Sequence, residues 1–586
     1  MSLDMRIRTL LIRPGLALCA LAMLFACADE NPVTPPPQQL PVADMVLING
    51  NVITVDPSLG QQQAVAISGH LIQAVGSTAE IERRIATETT VIDLAGRTVI
   101  PGLIEGHGHF LSLGRARQIL DLSTASSYQE ILNQVGAAVD AAAPGEWIFG
   151  RGWHQDKWQD EPTPAVDGVP TNASLSALSP DNPVFLGHAS GHASFANEAA
   201  LAASGITDAT EDPPGGTLVR DAQGHLTGLL RETAQRLVEK AVDAEQAKLS
   251  DAQRRAELLE RIQLAGEAAL KYGVTSFQDA GADVAEMEML RDVAAEGGLP
   301  IRLYVMARDT NEALERKLAD LYQPYQDNSF LTIRAIKKQI DGALGAHDAW
   351  LLEPYVDLPE TSGLVLEPVE EIEATARLAV ALGYQVNTHA IGTRANREVL
   401  DLYERIWREL EVDGADLRWR VEHAQHIHPD DIPRFGQLGV IASVQGVHCT
   451  SDGPWIPSRL GTERTEATSY RWRDLLDSGA VVNNGTDVPV ESIDPFASLV
   501  ASVARVMNNG EAFYPEQGMT REEALYSYTM ANAYAAFEED VKGSVTPGKL
   551  ADLVVIDQDF LAAPLDAIRN TEVAYTIIGG EIRYQQ

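Results

Sequence analysis

Residues 99–110 read VIPGLIEGHGHF, and the interpretation of the whole chain turns on how that stretch ends. A β-compatible apolar run passes Pro101-Gly102, takes a second short apolar step, and then meets His107 and His109. Successive strand side chains point to opposite faces, so these two imidazoles lie on the same face. Side by side at a strand end they form part of a metal ligand set. They are equally what two surface histidines near a turn would look like. The rest of the chain decides between these readings.

Working outward, segments rich in Val and Ile flank the stretch on its N-terminal side: MVLINGNVITVD, AVAISGHLIQAVG and TVIDLAGRTVIPG. Asn-Gly, Ser-Gly and Ala-Gly turns separate them, which predicts a small β-meander. The C-terminal segments ADLVVIDQDF and VAYTIIGGEIRYQQ have the same texture. Residues 43–98 and 543–586 are therefore expected to form one discontinuous β-domain closed by both termini.

Between these ends strands alternate with helical stretches such as residues 369–382. Strands are predicted at residues 99–107, 274–279, 301–307, 334–339, 384–388, 418–422, 440–445 and 481–484. Eight parallel βα units make an α/β TIM barrel, here spanning residues 99–542, with its chemistry at the C-terminal strand ends. Roughly 160 residues separate the first two strands, far beyond a usual βα loop of about 2–6. This insert, about residues 111–271, leaves from the catalytic end of strand one, so it is either a lid or substrate-binding subdomain or a spectator.

Further polar residues close the predicted strands. Lys337 lies in RAIKKQIDG, His389 in YQVNTHAIG, His423 in RWRVEHAQ and Asp487 in VVNNGTDVP. A single such histidine is more often packed core or loop. Six candidates in barrel order, counted with His107 and His109, point instead to a metal centre. Imidazole and carboxylate ligands suit zinc without excluding manganese, iron or nickel.

The set GHGH, Lys337, THAIG, VEHAQ and GTDVP resembles the metal-dependent amidohydrolase superfamily. More narrowly it is similar to the YtcJ-like branch, which includes N-substituted formamide deformylases. The segments DPPGGTLVRDAQGHLTGLLRE at 212–232, DGALG at 341–345 and GSVTPGKLADLVVID at 543–557 carry the same resemblance. It implies a β-sandwich-like side domain, one or two divalent metal ions, and hydrolysis of amide-type bonds. It further implies that His107 and His109 hold the buried metal and that His389 and His423 hold the more exposed one. Lys337 would bridge the two as a carbamate formed with carbon dioxide, because an ammonium cannot ligate a cation. Adjacent Lys338 is the competing candidate, although on a regular strand it faces away, and the step from Lys337 to Asp341 matches the family pattern.

A metal lowers the pKa of bound water from 15.7 towards about 7, making a hydroxide available near neutral pH. Asp487 would ligate, take the proton as attack proceeds, and pass it to the leaving nitrogen. The expected reaction is cleavage of a non-peptide C–N bond in an N-acyl or N-formyl amine. The same parts serve an ester, lactone or peptide-like bond, and a non-catalytic binding lipoprotein is a third reading. His192, Trp153 and His347 are candidate substrate contacts, although His192 is as readily a packed structural residue, and Trp153 with Trp158 fits the insert's core. His426, His428 and His448 read as loop or supporting residues.

Composition is that of a globular protein, with 45% hydrophobic and 22% charged residues in 586. A net charge of -38 argues against nucleic acid or an anionic membrane surface as partner, since phosphates need a basic footprint. A small-molecule substrate fits; a homo-oligomer is left open. Arg6, Arg8 and Arg13 precede a short apolar run at residues 16–25, the pattern of a cleaved export signal over residues 1–26. Leu24-Phe25-Ala26-Cys27 resembles a bacterial lipobox, which implies acylation of Cys27 and a tether over residues 27–42; a plain secretory signal is the alternative. The protein is thus expected to be exported, periplasmic or at the cell surface, and to meet the membrane only through its lipid. Of three cysteines, Cys19 lies in the leader and Cys27 at its end; with Cys27 acylated, Cys449 has no partner and no disulfide is expected.

Overall fold

The run expected as one strand at residues 99–107 is two strands, divided at Gly102. In the computed structural model, Thr98–Pro101 belongs to a sheet built by the chain termini, pairing in parallel with Asn51–Ile53 and antiparallel with Leu553–Ile556. Strand β1, Leu103–Gly108, starts the barrel. The Gly102 amide donates to the Asp552 carbonyl at 2.8 Å. A Cβ at this position would lie 2.1 Å from Thr275 Oγ1. Proline cannot donate to the ladder and glycine lets the backbone pass close by, so the chain changes sheets there.

The structure describes residues 40–586 except 156, 157, 160, 161, 167, 189–192, 214, 215 and 508. The expected leader, the lipid anchor and nearly all of the tether fall outside these residues, and so does His192. Among the described residues no helix is long and apolar enough to cross a membrane.

The barrel continues with β2 (Val274–Ala282), β3 (Arg302–Ala307), β4 (Leu331–Gln339), β5 (Gln385–Ala390), β6 (Arg420–His423), β7 (Ile441–Gln445) and β8 (Val482–Gly485). Each pairs in parallel with the next. The seam between β8 and β1 is bridged by a side chain: the Asn532 amide donates to the carbonyls of Ile104 (2.6 Å) and Asn484 (2.8 Å). Just beyond, the Asp487 amide donates to the His107 carbonyl at 2.7 Å. Helices pack outside by the usual periodicity; Ala395, Val399, Leu402 and Ile406 form the buried stripe of Thr393–Leu410.

The two terminal sheets face each other across a core that includes Leu47, Val65, Ile67, Val99, Leu553 and Ile577. Alternation explains how Met45–Ile48 serves two cores at once. Met45 and Leu47 enter this one, and Val46 and Ile48 a second with Ala64 and Ile81.

The insert carries its own six-stranded sheet, from Leu120–Asp121 to Leu226–Glu232, and its own apolar core. Its flanking helices belong to the barrel instead. Phe110–Gln118 and Asp251–Lys271 lend Phe110, Leu113, Leu258 and Ile262 to the barrel core. They approach so closely that a Cβ on Gly114 would meet the Arg261 carbonyl oxygen at 2.1 Å.

Candidate metal centre

All six strand-end residues converge on the C-terminal mouth of the barrel. His107 closes β1 and is fully buried; His109, one residue beyond the strand, is the N-cap residue of Phe110–Gln118. Their shared face is evident in one atom. Asp487 Oδ1 lies 3.6 Å from His107 Nε2 and 3.3 Å from His109 Nε2. Lys337 Nζ approaches His107 Nε2 at 3.3 Å. The ring of His423, at the end of β6, lies 4.8 Å from that of His107 and 4.4 Å from that of His389. Ligand atoms of His107, His423 and Asp487 fall within 4.8 Å of one another. His423 and Asp487 have positive φ, 72° and 59°, a backbone conformation that non-glycine residues adopt rarely and at a cost, and often at functional sites.

Strand alternation separates the neighbouring lysines. Lys338 Nζ reaches Asn311 Oδ1 and Glu367 Oε2, each at 2.9 Å, on the side away from the cluster.

The cluster rests on Glu422, Arg420 and Glu105, which the sequence reading did not single out, and on Asp341, which it named only for its spacing from Lys337. His107 Nδ1 makes a very short contact with Glu422 Oε2. Arg420 Nη2 donates to that same oxygen at 3.0 Å, to the Gly106 carbonyl at 2.8 Å and to Ser443 Oγ at 2.8 Å. Burial alone would raise the Glu422 carboxyl; the Arg420 guanidinium and His107 override it and hold the group well below the usual carboxylate range. Glu105 accepts from the Thr486 amide (2.6 Å), the Thr486 hydroxyl (2.9 Å) and the His107 amide (3.2 Å), tying β1 to the turn after β8. Asp341 accepts from the amides of Ile391, Gly392 and Trp350 and fixes the loop after β5. The signal for the Glu422 pair was present. Arg420 and Glu422 stand two apart in RWRVEH, so both face the barrel interior.

Burial and the Lys337 ammonium push His107 down to about 4. Burial, then Lys337, likewise keeps His389 well below its ordinary value, and burial, then His389, does so for His423. Three neutral imidazoles thus present lone pairs. Asp487 is held well below its ordinary value: burial opposes this, while the nearby His109, His107 and His423 rings prevail. Burial drives Lys337 down to about 8. Among the described residues, Asp487 Oδ1 and His389 Nε2 are buried without a hydrogen-bond partner. Such orphans cost about 1–3 kcal/mol each, and a divalent cation would supply what both lack. The donor set fits a metal.

A cavity of about 450 Å³ opens onto the cluster, lined by His109, Lys337, His389, His423 and Asp487 together with Arg308, His448 and Trp455. A neighbouring recess of about 620 Å³ lies between insert residues such as Leu120 and Arg151 and the loop after Asp487. Val490 and Glu491 line both, so the insert borders the mouth.

Of the candidate substrate contacts, Trp153 lies elsewhere. It is buried in the insert's core against Trp158, His188 and Phe195, its indole donating to the Leu186 carbonyl at 2.8 Å. An aromatic this large is drawn to the nearest dry core. His347 follows the cavity-lining residues 343–346 but is turned away, 3.1 Å from Asp357 Oδ2 and packed on Tyr355. His448 lies nearer the chemistry than expected of a loop residue. It lines the cavity parallel to His423 with ring centres 6.3 Å apart, and its buried Nε2 has no partner.

The amidohydrolase family profile matches residues 90–584. The chain belongs to the amidohydrolase family. Among relatives of this amidohydrolase, Protein LONG AFTER FAR-RED 3 of Arabidopsis thaliana is 34% identical, over 88% of this chain and 87% of the relative. The putative amidohydrolase YtcJ of Bacillus subtilis is 30% identical, over 92% and 98%. The N-substituted formamide deformylase of Arthrobacter pascens is 29% identical, over 93% and 98%. An uncharacterized metal-dependent hydrolase from Pyrococcus furiosus superposes with a TM-score of 0.71 at 28% identity, covering 88% of this amidohydrolase and 99% of that chain.

Proposed function

We propose that this amidohydrolase cleaves a non-peptide C–N bond, in an N-acyl or N-formyl amine, at a centre of one or two divalent ions, most simply Zn2+. The observation that carries the reading is the unpartnered Asp487 Oδ1 amid neutral imidazoles. Similarity to a protein named for N-substituted formamide deformylation adds support for the bond type. His107, His109 and Asp487 would hold one ion, and His389 and His423 would hold the other. Lys337, once its free amine had added to carbon dioxide with formation of an N–C bond and loss of a proton, would supply an anionic carboxylate to that centre. A divalent cation here acidifies water and polarises the scissile carbonyl.

Within that frame the chain's residues do the following. Asp487 accepts the proton that water loses as its oxygen bonds to the carbonyl carbon. As the C–N bond breaks, the same carboxyl returns the proton to the departing nitrogen, leaving an acid and an amine. Glu422, clamped by Arg420, holds the His107 ring with Nε2 facing the cluster. In the proposal the enzyme is exported and anchored through lipid on Cys27. It acts on a small molecule, not on nucleic acid.

Metal analysis of the leaderless protein tests the reading. One to two equivalents of zinc or a similar ion are expected. Asp487→Asn is expected to keep at least part of that metal while turnover of N-formyl amines falls on the order of 10²–10⁴-fold, the range for a lost general acid–base. A protein that stays metal-free with zinc and bicarbonate, or an active Asp487→Asn variant, overturns it.

A further inference from the structure

Arg308 follows β3 and lines the cavity that holds Lys337, His389, His423 and Asp487. Its side chain is positioned at both ends. The stem packs over Gly281, where a Cβ would come within 2.8 Å of Arg308 Cδ, so this glycine leaves the room the stem occupies. At the tip, Nη2 donates to Gln339 Oε1 at 2.6 Å. Gln339 is itself held, its amide donating to Glu367 Oε1 at 3.0 Å and its side-chain nitrogen to the Asp341 carbonyl at 3.3 Å.

Three arginines packed against the barrel strands have counter-ions: Arg302 pairs with Asp552, Arg418 with Glu539 and Arg420 with Glu422. Arg334 and Arg505 lie instead against the rings of Phe537 and Trp472. The exposed guanidinium of Arg308 has neither arrangement among the described residues. Among the described residues no carboxylate pairs with Arg308. The nearest candidate along the chain, Asp309, is committed to the amides of Val284 and Thr310. Besides Asp487, which faces the histidine cluster, two acids line the cavity. Asp452 is engaged by Gln425 (3.0 Å) and the Tyr470 hydroxyl (2.9 Å), and Glu491 belongs to the wall shared with the recess. A planar fork with free N–H groups beside a hydrolytic centre matches a carboxylate. The acidic walls disfavour a ligand of higher negative charge.

We propose that Arg308 is the specificity residue for a carboxylate on the substrate, so that the class cleaved is an acidic amide: an N-acyl amino acid or the monoamide of a dicarboxylic acid. This rests on the function proposed above and narrows its substrate.

The test uses zinc-loaded enzyme and matched pairs: N-formyl-β-alanine against N-formylpropylamine, and N-butylsuccinamic acid against N-butylpentanamide. The carboxylate-bearing member of at least one pair is expected to be favoured tenfold or more in kcat/KM. That pair tells on which side of the amide the carboxylate lies. In Arg308→Gln the preference should fall towards unity, with Arg308→Lys in between, and the loss should lie chiefly in KM. Glutarate binding, followed by calorimetry on the same proteins, gives a readout independent of turnover; it should weaken at least tenfold in Arg308→Gln. No preference in the wild type, or a preference that survives Arg308→Gln, overturns the proposal. If no amide of either kind is cleaved, the functional reading fails, and glutarate binding alone decides the role of Arg308: equal affinity in wild type and Arg308→Gln overturns it.

Discussion

Glu422 shows how much of the centre depends on a residue that does not face the cavity. It is buried between Arg420 and His107, so removing its charge leaves the guanidinium unpaired and the imidazole unsteadied. Partners that orient metal ligands are typically worth 10–100-fold in affinity. Glu422→Gln should therefore lower zinc affinity by about that factor in a chelator competition, and should lower the melting temperature of the metal-free protein as well. Lys337→Ala, by contrast, should reduce metal stoichiometry, with partial recovery in short carboxylic acids that stand in for the missing bridge. Lys338→Ala should leave metal content intact, because its Nζ is held by Asn311 and Glu367 outside the cluster.

At the scale of elements, the contact between Phe110–Gln118 and Asp251–Lys271 requires Gly114. A methyl group there would meet the Arg261 carbonyl, and overpacking of this kind costs about 1–3 kcal/mol. Gly114→Ala should lose about that much in urea unfolding. Glu523 opens Arg521–Ser527 in a capping box with Thr520 and also pairs with Arg473 across to Trp472–Asp477. The Arg473 hydrogen bond is the main cause that holds its carboxyl down to about 2, from an ordinary 4.5. A group depressed in the fold contributes above its unfolded pKa and loses that contribution as pH falls from about 4.5 towards 2. The pair is partly exposed and screened, so roughly 0.5–1 kcal/mol is at stake. Glutamine preserves the capping box. Glu523→Gln should accordingly be less stable than wild type at pH 7 in urea melts, with the difference shrinking below pH 4.

For the whole molecule, six ligand candidates from five strand ends make the metal a cross-link of the barrel. A ligand that binds only the folded state stabilises it by RT ln(1 + [L]/Kd), about 2.7 kcal/mol at a hundredfold excess over Kd. Chelation should lower the unfolding temperature, and zinc should restore it in a concentration-dependent way. An unfolding temperature indifferent to both would count against a metal bridging those strands.

The strand content of the barrel was legible because each strand is a short β-branched run, and the six candidate ligands because each closes such a run. Period-two alternation also separated Lys337 from Lys338. Residues 99–107 misled, since one apolar run served two sheets and only the steric contact of Gly102 with Thr275 shows where it divides. The sequence leaves Trp153 open between a pocket wall and the insert's core, and the core reading is the one the structure shows; its candidacy as a substrate contact fails because composition shows that an aromatic will be buried, not against what. Alternation shows that Arg420 and Glu422 share a face, but Glu105 and Glu422 matter through Thr486 and His107, hundreds of residues away, and no local pattern encodes those partners. The sequence by itself determined the element order, the barrel class and the chemical type of the site, because backbone periodicity and ligand chemistry are local properties. Only the tertiary structure decided which side chains converge on Asp487 Oδ1 and which buried atoms lack partners among the described residues, and it alone placed the Arg308 guanidinium at the mouth. Those outcomes depend on packing between segments far apart in the chain.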